Sequence, residues 1–131
     1  MPISVNAEIG REHYKVSVSA GNNTLIGDEP LEKGGQDKGF SPFELLLSSL
    51  GACTSATVRM YADRKEINLE SVKVHLEVER DEEKNTTLIT RDIELIGKLT
   101  EEEKQRLLSI ANKCPVHKLL TSQIHIDSKL V

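Results

Sequence analysis

The chain has 131 residues, enough for one domain with a hydrophobic core of its own. A net charge of −4 leaves no basic field for nucleic acid or anionic lipid. Two Tyr, two Phe and no Trp leave little surface on which single-stranded bases could stack. No apolar run has membrane-spanning length and the first residues do not read as a signal peptide, so a cytosolic chain with reduced thiols is expected.

Ile3, Val5, Ala7 and Ile9 alternate with polar residues, the pattern of a half-buried strand. Gly10-Arg11-Glu12 reads as a turn, and Tyr14, Val16, Val18 and Ala20 alternate again, completing a hairpin. Gly21-Asn22-Asn23 is a second turn, and Thr24-Leu25-Ile26 a short third strand. Residues 28–40 are Gly-rich, charged and without period, so a loop is expected. Its Gly34-Gly35-Gln36-Asp37-Lys38-Gly39 lacks the ending of a phosphate loop.

A long helix then opens on strong signals. Ser41 is a good N-cap, Pro42 suits the first helical position, and Glu44 completes a capping box. The helix runs to about Lys65. Leu46, Leu50, Cys53, Thr57 and Met60 recur at steps of three and four and are expected to share its buried face. Around Cys53 the residues are small, so another backbone can come close.

Val72, Val74, Leu76 and Val78 mark one face of a strand, and residues 81–85 turn the chain. Ile89, Arg91, Ile93 and Leu95 lie on one side of the next strand. Thr100 and Glu103 form a second capping box. Leu107, Ile110, Ala111 and Cys114 follow at helical spacing, until Pro115 breaks or bends the helix. Ile124, Ile126 and Leu130 suggest a final strand. Strands gather on both sides of the central helix, so the class is α+β. Neither repeats nor linkers are evident, and residues 1–131 are expected to form a single domain.

The two cysteines, Cys53 and Cys114, are the candidate chemistry. A thiolate needs a cation or dipole beside it. Cys53 lies too deep in its helix for the N-terminus to serve. Arg59 points about 120° away from it around the axis, and Arg64 lies about three turns further on. A helper must therefore come from another segment or another subunit. Val116 to Leu120 are expected to begin a new helical turn, which would set Cys114 at a helix N-terminus, where free N–H groups favour a thiolate. Chemistry alone leaves either cysteine as the nucleophile. Two thiols in an apolar pocket suit oxidation of one to a sulfenic acid and closure to a disulfide by the other. The bland alternative is two buried, inert thiols.

Ser41-Pro-Phe-Glu-Leu-Leu-Leu, Gly-Ala-Cys53-Thr and Asn-Lys-Cys114-Pro together resemble the OsmC/Ohr family of osmotically inducible and organic hydroperoxide resistance proteins. The likeness covers nearly the whole chain. It implies an intertwined α+β homodimer with two long central helices wrapped by sheets and active sites at the subunit interface. It further implies a thiol-dependent peroxidase in which Cys53 is the peroxidatic cysteine and Cys114 the resolving one. Arg11, after Gly10 in the first hairpin turn, takes the place of the family's thiolate-stabilising arginine. The implied substrate is an organic hydroperoxide, and the implied reductant a dithiol such as a protein-bound lipoyl group. One position departs from the pattern. The glutamate that holds the arginine in the family is here Phe43, and Glu44 follows one residue later. On a continuous helix Glu44 points about 180° away from Cys53, so its capping role competes with a catalytic one.

Neither a cofactor nor a metal is expected. Cys114-Pro-Val-His117 has the spacing of half a zinc site, but only Cys53 is a plausible third ligand. His13, His75 and His125 read as strand-surface residues. A cysteine hydrolase built from Cys53, His117 and Asp127 lacks any local motif. A dimeric binding module for a hydrophobic small molecule, using the same pocket with inert thiols, is the alternative function.

Overall fold

The computed structural model describes residues 2–131. The elements run β1 (Asn6–Glu8), β2 (Val16–Ala20), β3 (Asn23–Gly27), α1 (Pro42–Arg64), β4 (Leu69–Asp81), β5 (Thr86–Gly97), α2 (Glu101–Ala111) and α3 (Pro115–Leu120). The class is α+β, with one three-stranded sheet in the order β1-β2-β3 and one β4-β5 pair, both antiparallel. Two compact units divide inside α1, after Leu46.

In the first unit, Ala7 faces Val18, and Val18 faces Leu25 on its other side. β1 is shorter than its alternation predicts, because only Asn6–Glu8 find partners on β2; Ile3, Val5 and Ile9 are left exposed. The stretch read as an open loop has an internal organiser, the buried carboxylate of Asp28. Its Oδ1 accepts the N–H groups of Tyr14 (3.2 Å) and Glu29 (2.7 Å), and its Oδ2 those of Gln36 (3.3 Å) and Lys38 (3.1 Å). Burial alone would raise its pKa. The four N–H donors outweigh that and hold the group below its ordinary 3.8. A single 3-10 turn, Leu31–Lys33, lies within the loop. Where the loop returns, a Cβ on Gly39 would lie 2.1 Å from the Ile26 carbonyl oxygen, so no larger residue fits. The expected capping box opens α1. Ser41 N–H donates to Glu44 Oε1 at 2.8 Å, and Glu44 N–H to Ser41 Oγ at 3.3 Å.

In the second unit, the β4-β5 hairpin sets Val72 opposite Leu95, Val74 opposite Ile93, Leu76 opposite Arg91 and Val78 opposite Ile89. Val58, Ala62, Leu69, Leu107 and Ala111 form the buried core, with Val72, Ile93 and Leu95 packed against it. The face of α1 expected to be buried is so only in part: Leu50 is buried and Cys53 and Thr57 are half-buried. Leu50, Thr54, Val58 and Ala62, at steps of four, are buried, whereas Met60 is 66% exposed and Leu46 39%. Small residues all round the helix left its rotation open. In the structure the Gly51 side lies on the sheet, where a Cβ would sit 3.0 Å from Leu76 Cδ1.

α2 carries the expected Thr100–Glu103 capping box but ends at Ala111, so Cys114 is not on its face as the spacing predicted. Cys114 instead caps α3, which begins at Pro115, as the sequence suggested. No final strand forms: residues 123–130 have no regular structure, and Ile124, Ile126 and Leu130 are exposed. A strand needs an edge to pair with, and alternation alone does not supply one. No helix among the described residues is long and apolar enough to cross a membrane.

Candidate active site

Both cysteines are free thiols in the second unit. Cys53 is half-buried near the middle of α1, with Sγ 4.0 Å from Thr57 Oγ1. Cys114 is fully buried. Its backbone is extended (φ −61°, ψ 136°), as an N-cap requires, and its Sγ takes the place of the usual capping oxygen, accepting the His117 N–H at 3.3 Å.

Cys114 lies beside the Cys53 and Thr54 side chains, and both favour its charged form. Burial by itself would push the Cys114 pKa up. The His117 N–H, the Cys53 side chain, the Val116 N–H and the Thr54 side chain together outweigh it and hold the thiol below its usual 9.0.

The cation beside this pair is Arg91 of β5. It stands in a row with Ile89, Ile93 and Leu95. Nη1 donates to Thr54 Oγ1 at 3.0 Å; Nη2 donates to Asn112 Oδ1 at 2.8 Å and lies 3.2 Å from His117 Nδ1. A guanidinium only donates, so Nδ1 is the acceptor and the imidazole proton sits on Nε2. The sequence did show Arg91 among apolar residues on one side of a strand. A charge in an apolar row is the signal for it in the sequence.

The arginines of α1 are engaged elsewhere, as the angle of Arg59 and the axial distance of Arg64 predicted. Arg59 binds Asp63 Oδ1 (3.1 Å) and the Glu70 carbonyl (3.0 Å), and Arg64 lies over the Tyr61 ring at 5.5 Å. Arg11 belongs to the first unit, where it is exposed and lines a shallow depression with Glu8, Glu12 and Lys15. Glu44, also of that unit, makes the capping bonds already described. Asp127 is bound to His125 at 3.0 Å, so it is not the acid of a Cys53–His117 triad. Among the described residues, no group of three or more His, Cys, Asp or Glu side chains could hold a metal. His75 is exposed on β4 against Glu77, as a strand-surface residue should be. His13 stacks on Tyr14 just before β2 rather than within a strand, and His125 lies in the irregular C-terminal stretch.

The arrangement is thus a half-exposed thiol beside a buried thiol that accepts a backbone N–H, with a guanidinium bonded to Thr54 and His117 nearby. It can hold one sulfur as an anion next to another that solvent reaches.

Comparison with known proteins gives a consistent picture. The family model described as OsmC-like protein matches residues 35–129. An uncharacterized protein of Mycobacterium tuberculosis is 32% identical over 130 residues, covering 93% of this chain and 90% of its own. Among solved structures, an OsmC-like protein from Mycoplasma pneumoniae superposes with a TM-score of 0.79 at 21% identity, covering 92% of this chain and 87% of that one. An organic hydroperoxide resistance protein OsmC from Legionella pneumophila gives 0.69 at 22% identity, covering 92% and 90%.

Proposed function

Because this chain belongs to the family of OsmC-like proteins, we propose that it is a thiol-dependent peroxidase that reduces organic hydroperoxides to alcohols. The reading is carried by the pairing of half-buried Cys53 with fully buried Cys114, whose sulfur accepts the His117 N–H at 3.3 Å and whose charged form the Cys53 side chain favours. Two sulfurs 61 positions apart in the chain, one solvent-accessible and one held towards its anion, are what a two-step thiol cycle needs.

In the first step the Cys53 thiolate attacks the terminal peroxide oxygen. The O–O bond breaks, the alkoxide leaves and takes a proton to become the alcohol, and Cys53 becomes a sulfenic acid. In the second, the Cys114 thiolate attacks the Cys53 sulfur. The S–S bond forms, the S–O bond breaks, and hydroxide leaves and is protonated to water. An external dithiol, such as a protein-bound lipoyl group, then returns two electrons and two protons. Exposure divides the roles: Cys53 is the thiol a substrate reaches, and fully buried Cys114 resolves. A binding module with inert thiols has no use for hydrogen bonds that lower the Cys114 pKa.

The remaining assignments rest on the family likeness. The chain acts as one OsmC-like domain in a homodimer. Exposed Met60 on α1 and the unpaired apolar residues Ile124, Ile126 and Leu130 are surfaces a second copy would cover. Arg11 is the cation that orients the peroxide, and Glu44 is its partner. A cytosolic setting fits two free thiols.

Single-turnover consumption of cumene hydroperoxide tests the reading. Wild type should consume one equivalent and form the disulfide; if Cys53→Ser consumes peroxide equally well, the assignment is wrong. Glu44→Gln keeps the capping hydrogen bond and removes the charge, so an unchanged rate in that variant leaves Glu44 as a helix cap alone.

A further inference from the structure

We propose that Arg91 is a positioning residue for Cys114, clamping the segment that carries it and polarising the Thr54 hydroxyl toward its sulfur. The proposal rests on the resolving role given to Cys114 above, and adds a residue that role does not include.

Three observations lead there. The first is the company Arg91 keeps. It occupies an inward position of β5 opposite Leu76, flanked by Ile89 and Ile93. Its hydrogen-bond partners are Thr54, Asn112 and His117, all neutral in this geometry, and none of the ion pairs among the described residues includes it. A half-buried guanidinium without a carboxylate is costly. The ionisable group next to its partners is the Cys114 thiol, whose sulfur accepts the His117 N–H at 3.3 Å.

The second is the geometry of the tethers. Asn112 is the C-cap of α2, and His117 lies in the first turn of α3. Nη2 holds both, so Arg91 grips the chain on either side of Cys114 while Nη1 grips α1 at Thr54, next to Cys53. One side chain thereby fixes both cysteine-bearing segments against β5.

The third is the proton of Thr54. A hydroxyl has one hydrogen to give. Oγ1 accepts from Arg91 at 3.0 Å and donates to the Leu50 carbonyl at 2.7 Å. With Cys114 as a thiol, that donation stands. The Thr54 side chain lies beside Cys114 and favours its charged form, so with Cys114 as a thiolate the hydroxyl turns its hydrogen toward the sulfur while Arg91 still holds its oxygen. Arg91 thus stabilises the anion through a neutral intermediary. It neither gains nor loses a proton, and no bond to it forms or breaks.

The experiment follows the ultraviolet absorbance of the Cys114 thiolate against pH in full-length protein carrying Cys53→Ser, with no peroxide present. Arg91→Met and Thr54→Val should each move the midpoint up by roughly one pH unit, and Arg91→Lys should recover part of the shift. With Cys53 restored, Arg91→Met should slow disappearance of the Cys53 sulfenic acid roughly tenfold and leave the first, peroxide-consuming step within about twofold. An unchanged midpoint in Arg91→Met, with lowered thermal stability, would make Arg91 a fold anchor only and overturn the proposal. Should Arg91→Met fail to fold, Thr54→Val, nearly the same shape as threonine, decides the matter alone: an unmoved midpoint overturns it. The titration needs no peroxide, so it stands apart from the peroxidase assignment, which Cys53→Ser tests in the turnover assay.

Discussion

The amide N–H of His117 points at the sulfur of Cys114 from 3.3 Å, closing the first turn of α3 onto a thiol where a serine or aspartate oxygen would normally sit. The bond strengthens when the sulfur is charged, which ties the local fold of this segment to the ionisation of its cysteine. The folded pKa of Cys114 is depressed from 9.0, so its thiolate stabilises the fold fully above the unfolded pKa. That contribution is lost as pH falls through the lower, folded value. Disulfide closure should therefore quicken with rising pH and level off before the ordinary thiol range is reached. Stopped-flow measurement of closure against pH checks this; a rate still climbing above pH 9 would contradict it.

Cys114→Ser should separate the two chemical steps. Serine keeps an acceptor at the α3 cap, so the fold should hold to within about 1 kcal/mol. The first turnover should proceed, and the protein should then stop with Cys53 as a sulfenic acid that dimedone traps and mass spectrometry detects. Cys53→Ser should trap nothing.

Asp28 should govern residues 29–40 as a unit. Asp28→Ala removes the acceptor of four backbone N–H groups at once, and exchange of the Gln36 and Lys38 amides should accelerate roughly tenfold or more. The pH dependence has a definite sign. The folded pKa lies below 3.8, so the stabilisation is complete above that value and is lost as pH falls through the folded one. Amide exchange or near-ultraviolet spectra recorded from pH 5 downward should show this loop staying closed until the pH falls below 3.8.

Gly51 should tolerate little. A Cβ would sit 3.0 Å from Leu76 Cδ1, the flexible end of a side chain. Alanine should be close to neutral, since the helical preference over glycine, about 1 kcal/mol, offsets a small shift of Leu76. Leucine should cost about 1–3 kcal/mol by overpacking. It should also disturb the thiol pair, because Leu76 faces Arg91 across the hairpin. Chemical denaturation gives the first quantity and the Cys114 titration the second.

Much of the architecture was legible in residue order because it rests on local interactions. The capping boxes Ser41/Glu44 and Thr100/Glu103, the helix start at Pro42, the break at Pro115 and the alternation of β4 and β5 involve neighbours a few positions apart. The reading failed where a partner was distant. β1 pairs with β2 only over Asn6–Glu8, and Ile124 to Leu130 stayed unpaired for want of an edge. The roll of α1 could not be read from a helix small on nearly every side.

The candidate site divides in the same way. Sequence alone marked Cys53 and Cys114, placed Cys114 at a helix start, and required a cation from outside α1, because thiol chemistry and helical angles are local properties. Tertiary structure alone chose Arg91, 37 positions from Thr54 and 26 from His117, and set the Cys53 side chain beside Cys114. Hydrogen bonds across such spans exist only after α1 has rolled Gly51 onto β4 and the hairpin has set Arg91 beneath Thr54.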